Sequence, residues 1–315
     1  MAQTFRNFET ILVDNGSADG SLGFINTQYP WVKTVALPVN KGFAGGNNAG
    51  FLHSFGEYII TLNNDTEADP GWLEELVRVA DESPDVGMVA SRVCSYDNHD
   101  LIDSLGVKVC RDGMSRGAFR LQRFSTLALE KTEKILIPSA CAALYRRSMI
   151  ESIGFFDEEF FAYCEDTDLG LRGRRAGWNA LLARDAVMYH KYSQTSGAFS
   201  PLKLYLVERN HYWVAFKNYP LTWILALPFV TIRRYIEQAR VVLSSQGAGQ
   251  QFAASSSKTA CAMALIRGVV DALKMIPEMW AQRRTLSSIR KLGDKEFVQL
   301  LREYEFSFKE LFDAG

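Results

Sequence analysis

Three places in the sequence set small polar or acidic side chains directly after an apolar run. Tyr58-Ile59-Ile60-Thr61-Leu62 leads into Asn63-Asn64-Asp65, Thr10-Ile11-Leu12-Val13 into Asp14-Asn15-Gly16-Ser17, and Ala186-Val187-Met188-Tyr189 into His190. Such runs read as strands. The polar groups then stand at carboxyl ends of strands, where they can converge on one crevice. At any single site a plain turn accounts for Asn, Asp and Gly equally well. Asp65 is a hard oxygen donor suited to Mg²⁺ or Mn²⁺, and the imidazole of His190 also suits Mn²⁺. A fourth place is Glu165-Asp166-Thr167-Asp168, three acids opening a helix, where they complement the helix dipole. Phe155, Phe156, Phe160, Phe161 and Tyr163 precede them. Acids beside so much aromatic surface should be partly buried, and burial of a carboxylate needs a reason. Asp168 has Arg172 four residues on and reads as a surface pair.

The elements that must position these groups alternate along the first two-thirds of the chain. Candidate strands are 10–13, 32–37, 58–62, 87–91, 142–145 and 186–189. Asp69-Pro70 opens a helix continued by Trp72, Leu73, Leu76, Val77 and Ala80 at helical spacing. Another helix runs from about Glu165 to Ala176 and stops at Gly177. This alternation predicts an α/β fold, a mostly parallel sheet with helices on both faces. From Leu202 onward the pattern turns helical: 202–216, 221–243, 260–284 and 294–304.

The 315 residues, 47% hydrophobic and 23% charged, suffice for one large domain or one domain plus an appendage. Net charge is −1, which gives no reason to expect nucleic acid as a partner. Five scattered cysteines without a CxxC pair exclude a zinc site or a disulfide framework, and make a reducing compartment the default. No secretory signal pattern is visible. The longest strongly apolar stretch, 218–232, is too short to span a membrane. Residues 220–296 hold 11 Lys+Arg and 5 Asp+Glu, a net +6, so the remainder carries −7.

Five segments occur in a fixed order: "ILVDNGSADGS", "NKGFAGGNNAGF", "YIITLNNDTEADPGWLEELV", "GFFDEEFFAYCEDTDLGLRGRRAGW" and "AVMYHKYSQTSG". Together they resemble family 2 glycosyltransferases of the GT-A fold, in the rhamnosyltransferase-like branch, over residues 3–219. The resemblance implies inverting transfer from a nucleoside-diphosphate sugar, dTDP-rhamnose in that branch, assisted by Mg²⁺ or Mn²⁺. It implies an acceptor that is a cell-envelope glycan or a lipid-linked glycan. Matched residue by residue, Asp65 is the last acid of a D-x-D motif whose first position is Asn63 here, and His190 completes the metal site. Asp14, with Asn15 and Ser17, would meet the base. Lys41, Gly45 and Asn47 of the glycine run, with Asn64, would lie against the nucleotide, the run preceding a helix that starts near Asn47. Arg209, of an Arg-Asn pair beyond a candidate lid at 191–200, would meet the diphosphate. Asp166 would be the base and Glu165 its neighbour on the acceptor.

Expected domains are 1–218, the GT-A unit, and 219–315, a helical region. Its basic amphipathic helices either pack on the catalytic part or lie on the inner face of the cytoplasmic membrane. Residues 1–9 resemble the linker into the second strand of family members, so a first strand and helix are expected to be missing. Two rival functions follow: an inactive or binding-only member of the fold, and a nucleotidyltransferase.

Overall fold

The computed structural model describes residues 2–191, 200–243, 258–308 and 310. The first elements are β1 (Ile11–Asp14), α1 (Ser21–Gln28), β2 (Lys33–Ala36), α2 (Gly42–Leu52), β3 (Tyr58–Leu62), β4 (Thr66–Ala68) and α3 (Trp72–Ala80). There follow β5 (Val86–Ser95), β6 (Ile102–Ser104), β7 (Val107–Val109), β8 (Ser115–Gly117), β9 (Thr132–Lys134), β10 (Ala142–Arg146), α4 (Arg147–Ile153), α5 (Glu165–Arg175) and β11 (Asn179–His190). Then come α6 (Pro201–Asn218), α7 (Leu221–Leu243), α8 (Lys258–Lys274), α9 (Ile276–Ser287) and α10 (Asp294–Glu303). Eight positions of the candidate lid, 192–199, lie outside the described residues.

The central sheet has the order β3-β10-β5-β11-β4, with β6 on β5 and β9 on β11. β5 lies inside it and is buried over nearly its whole length. Its alternate side chains feed two cores, as strand geometry requires. Met88 and Ala90 join Tyr145, Met149 and Leu169 on the face covered by α4 and α5. Val89 and Val93 join Leu73, Leu76 and Val79 of α3 on the other. The α/β fold class stands, but the sense of pairing differs from expectation. Among the strand ladders of the described residues only β5–β11 and β1–β2 run parallel; β10 pairs antiparallel to both β3 and β5. Local sequence patterns mark a strand without saying which way its neighbour runs.

β1 and β2 form a separate ladder, and no hydrogen bond among the described residues joins it to β3. An open cleft of about 2640 Å³ runs between the two sheets and on toward α5 and α6.

The expected long helix 260–284 breaks at Met275, where Pro277 opens α9. Helices α7 to α10, the helical region after 218, pack against the rest of the chain. Trp213 and Val214 of α6, Ile224 and Leu227 of α7, Met279 of α9 and Phe297 of α10 share one core with Val107, Phe160 and Leu171.

Candidate active site

Asn63, Asn64 and Asp65 occupy the turn after β3, and His190 ends β11. Antiparallel β4 lies beside the end of β11, pairing Thr66 with His190, and so brings the turn to the histidine. Asp65 Oδ1 stands 3.4 Å from His190 Nε2. That oxygen is buried and, among the described residues, accepts no hydrogen bond. Opposite, His190 Nδ1 is 2.7 Å from Asp103 Oδ2, and Asp103 in turn pairs with Arg120. Burial works against the imidazolium, but the bond to Asp103 and the carboxylates of Asp103 and Asp65 raise its pKa above the ordinary value. With Nδ1 bonded to Asp103, Nε2 is the ring nitrogen that faces the uncommitted oxygen of Asp65. An orphaned carboxylate oxygen facing an imidazole nitrogen fits a divalent cation between them. Among the described residues no group of three His, Cys, Asp or Glu side chains could hold one unaided. The other positions would fall to backbone, to Asn63 or to a bound phosphate.

The carboxylate pair opens α5. Glu165 is buried, and its Oε2 has no hydrogen-bond partner among the described residues. Burial pushes its pKa well up, and the neighbouring Asp166 pushes it further. Burial also raises Asp166, but backbone N–H groups of Ala140 (3.3 Å) and Thr167 (2.7 Å) donate to its carboxylate and limit the rise. Of the two, Glu165 is pushed further toward its neutral form, and the donated hydrogen bonds favour the charged form of Asp166.

The chain just before them is strained. Phe161, Tyr163 and Cys164 have φ of 63°, 70° and 66°, left-handed values that side-chain-bearing residues rarely adopt. Asn210 holds this segment, its amide donating to the carbonyls of Phe160, Ala162 and Tyr163 at 2.7–2.9 Å. Arg209 adds bonds to the carbonyls of Glu159 and Phe160. Arg209 is not among the residues that line the cleft: its Nη2 donates to these carbonyls, its Nε to Asn210 Oδ1, and its guanidinium lies over the rings of Trp213 and Tyr205.

Asp168 departs from expectation. Its pair with Arg172 is fully buried, and Lys217 Nζ joins it at 2.9 Å. Burial would raise its pKa, but Lys217 and Arg172 hold it down to about 2. This cluster pins α5 to α6.

The glycine run is not a loop ahead of a helix. It is the first turn of α2, which begins at Gly42 rather than near Asn47. A Cβ on Gly42 would stand 2.3 Å from the carbonyl oxygen of Phe161, and its φ is +72°. Gly42 thus allows α2 to touch the strained segment, and Ala44 N–H donates to the same carbonyl. Asn15 clamps this turn to β1, donating to Gly42 O and accepting from Lys41 N. Asp14 accepts from Ser17 N, as a turn residue does, and faces the cleft from the β1 side. Asn47 donates to Phe43 O and also lines the cleft; Lys41 and Gly45 do not.

A short segment connects the two chemical clusters. Asn63 N–H donates to Cys141 O (2.9 Å), and Ala140 N–H donates to Asp166 Oδ2. The buried Cys141 thiol is pushed well up by burial, then by the carboxylates of Asp103, Asp65 and Asp166. One thiol therefore feels both clusters, and all of them line the same cleft. Asp103 and the clamp role of Asn210 were missed in the sequence. The only signal for Asp103 was an acid inside the apolar run Leu101-Ile102-Asp103-Ser104-Leu105.

Comparison with known proteins agrees with this geometry. Residues 1–154 match the family described as glycosyl transferase family 2. The chain is 28% identical over 228 residues to the O-antigen biosynthesis protein RfbC of Myxococcus xanthus, covering 70% of this chain and 17% of that protein. It is 26% identical over 253 residues to the N-acetylglucosaminyl-diphospho-decaprenol L-rhamnosyltransferase of Mycobacterium tuberculosis, covering 70% of this chain and 81% of that protein. Among solved structures, GalNAc-T7 with UDP, GalNAc and Mn²⁺ aligns at TM-score 0.54 and 13% identity, over 68% of this chain and 43% of that one. S. aureus TarS 1–349 in complex with UDP aligns at TM-score 0.52 and 16% identity, over 96% and 84%. The structural likeness carries the fold, GT-A, and the sequence likeness is to glycosyl transferase family 2 over residues 1–154, with a rhamnosyltransferase among the similar proteins.

Proposed function

We propose that the chain transfers a sugar, with inversion, from a nucleoside-diphosphate sugar to a hydroxyl of a lipid-linked glycan. The observation that carries this reading is the pairing of two unlike acid clusters across one short segment, Ala140–Cys141. Asp65 and His190 would hold a cation able to neutralise a diphosphate, and Asp166 is set to take a proton. In the reaction, Asp166 accepts the proton of the acceptor hydroxyl as its oxygen bonds to the anomeric carbon. The bond from that carbon to the diphosphate breaks on the opposite face, and the diphosphate departs with the electron pair. A divalent cation held by Asp65 and His190 would supply Lewis-acid neutralisation of the leaving group. Asp14 and Asn47 face the cleft where a nucleotide would lie. The rhamnosyltransferase among the relatives supports dTDP-rhamnose as donor and a lipid-linked diphosphate sugar as acceptor. In this reading residues 1–218 are the catalytic unit, 219–315 the second region, and helices α7 to α10 within it buttress the first.

The test is release of nucleoside diphosphate by purified protein against a panel of sugar nucleotides, with wild type and Asp166→Asn. Turnover in the variant should fall about 10²–10⁴-fold, the usual scale for loss of a general base, while donor binding is kept. Near-normal turnover in the variant would remove Asp166 from the role. Release of pyrophosphate instead would make the protein a nucleotidyltransferase.

A further inference from the structure

Helix α8 rests on α6 and turns its larger apolar side chains away from it, and α7, which buries Ile224 and Leu227 in the shared core, carries a second apolar stripe on its outer side. On α8 the inward face is built of small residues, Ala264, Gly268 and Ala272. A Cβ added at Gly268 would stand 3.0 Å from Glu208 of α6. Its outward face carries Met263, Ile266, Val270 and Leu273, with Met263 and Ile266 each 65% exposed. A helix facing water places its large apolar groups the other way round. On α7, Leu221, Leu225, Phe229, Ile232 and Ile236 form an exposed stripe, Phe229 reaching 77%.

The stripe cannot roll inward. Arg234, on the opposite side of α7, is buried against Asp112 and Glu208 at 2.7 Å each, and Tyr235 donates to the same Glu208. The Asp112 contact is an ion pair without hydrogen-bond alignment, whereas the Glu208 contact has both. Turning α7 would strand three buried charges.

Basic side chains surround these faces. Arg233 is exposed next to Ile232. Arg240, Arg267 and Lys274 are at least 69% exposed and pair only with acids of their own helices, Glu237 and Asp271, among the described residues. No helix among the described residues is long and apolar enough to cross a membrane. Apolar faces rimmed by Arg and Lys are what an anionic bilayer surface binds. A two-fold contact between copies of this chain would instead bring basic rims together. We infer that α7 and α8 dock on an anionic lipid bilayer, with their apolar faces in the headgroup region. The inference builds on the lipid-linked acceptor proposed above, because an acceptor anchored in a bilayer requires its enzyme at that surface.

The experiment is co-sedimentation of the full chain with phosphatidylcholine vesicles, with and without phosphatidylglycerol, in the absence of donor and acceptor. The wild type should bind the anionic vesicles and lose binding as salt screens the charges. Phe229→Glu/Ile266→Glu, at two exposed positions, should weaken partitioning about tenfold or more. Arg233→Gln should weaken binding to anionic vesicles alone. Nucleoside-diphosphate release with a water-soluble acceptor should be unchanged in the double variant, so failure of vesicle binding is distinct from failure of the transfer reading. A wild type that ignores anionic vesicles at low salt overturns the proposal, as does a double variant that binds them equally. A dimer in sedimentation velocity that the double variant dissolves, without vesicle binding, assigns the face to a second copy.

Discussion

Glu165 and Asp166 are adjacent in sequence, and their environments separate their roles. Two backbone N–H groups favour the charged form of Asp166, whereas Glu165 has a buried oxygen with nothing to bond. Glu165→Gln, a neutral isostere, should therefore retain turnover within about tenfold, where loss of a true base costs about 10²-fold or more. The raised pKa of Asp166 places the acid limb of kcat/KM above the range of an ordinary aspartate. The stability sign follows from Glu165, whose pKa is raised in the fold. Its contribution is complete below the unfolded value of about 4.3 and declines as pH rises toward the folded value. Melting temperature against pH should thus fall less steeply in Glu165→Gln; an unchanged slope would mean that Glu165 ionises freely. At the other cluster, Asp103→Asn removes the acceptor that fixes the His190 ring. Mn²⁺ affinity, read by calorimetry on the protein without donor, should drop about 10–100-fold; unaltered affinity would leave Asp103 as a partner of Arg120 alone.

α5 is delivered to the cleft by a strained lead-in and two anchors, Asn210 and the Asp168–Lys217–Arg172 cluster. Asn210→Ala strands three carbonyls around three left-handed residues. A loss of about 2–4 kcal/mol in urea unfolding is expected, since buried unsatisfied groups cost about 1–3 kcal/mol each and water recovers part. A loss under about 0.5 kcal/mol, typical of unimportant surface sites, would show that the segment holds itself. Much of this architecture was legible in the sequence. β3 and α7 fall at the expected residues, and β10 and α5 within one, because local apolar runs and acidic starts decide them. β11 was legible only in its last third. Asn179, Arg184 and Asp185 interrupt its pattern, and the strand is completed by pairing with β5 and β9. Asp65 and His190 were legible as strand ends. The direction of Arg209 was not legible, because a cation's direction depends on what packs around it, here the carbonyls of a strained turn. Asp168 was misread because the burial of its pair comes from Lys217, 49 residues away.

At the scale of the whole molecule, the catalytic unit and the C-terminal helices share one core, so the sequence boundary at 218 marks a change of pattern and not a seam. The looser join is elsewhere. Among the described residues β1 pairs only with β2 and β3 only with β10, so there two apolar strands each present a backbone edge without a ladder partner to the open cleft between the sheets. Unpaired edges of this composition are templates for other strands. The consequence is colloidal: concentrated protein should thicken into strand-paired assemblies by a route that never requires unfolding of β5 or α5. Light scattering should grow with concentration at temperatures well below the melting transition, and Leu12→Lys, a charge on the β1 edge, should suppress it. Scattering that begins only at the melting transition would show that both edges are protected in the native state.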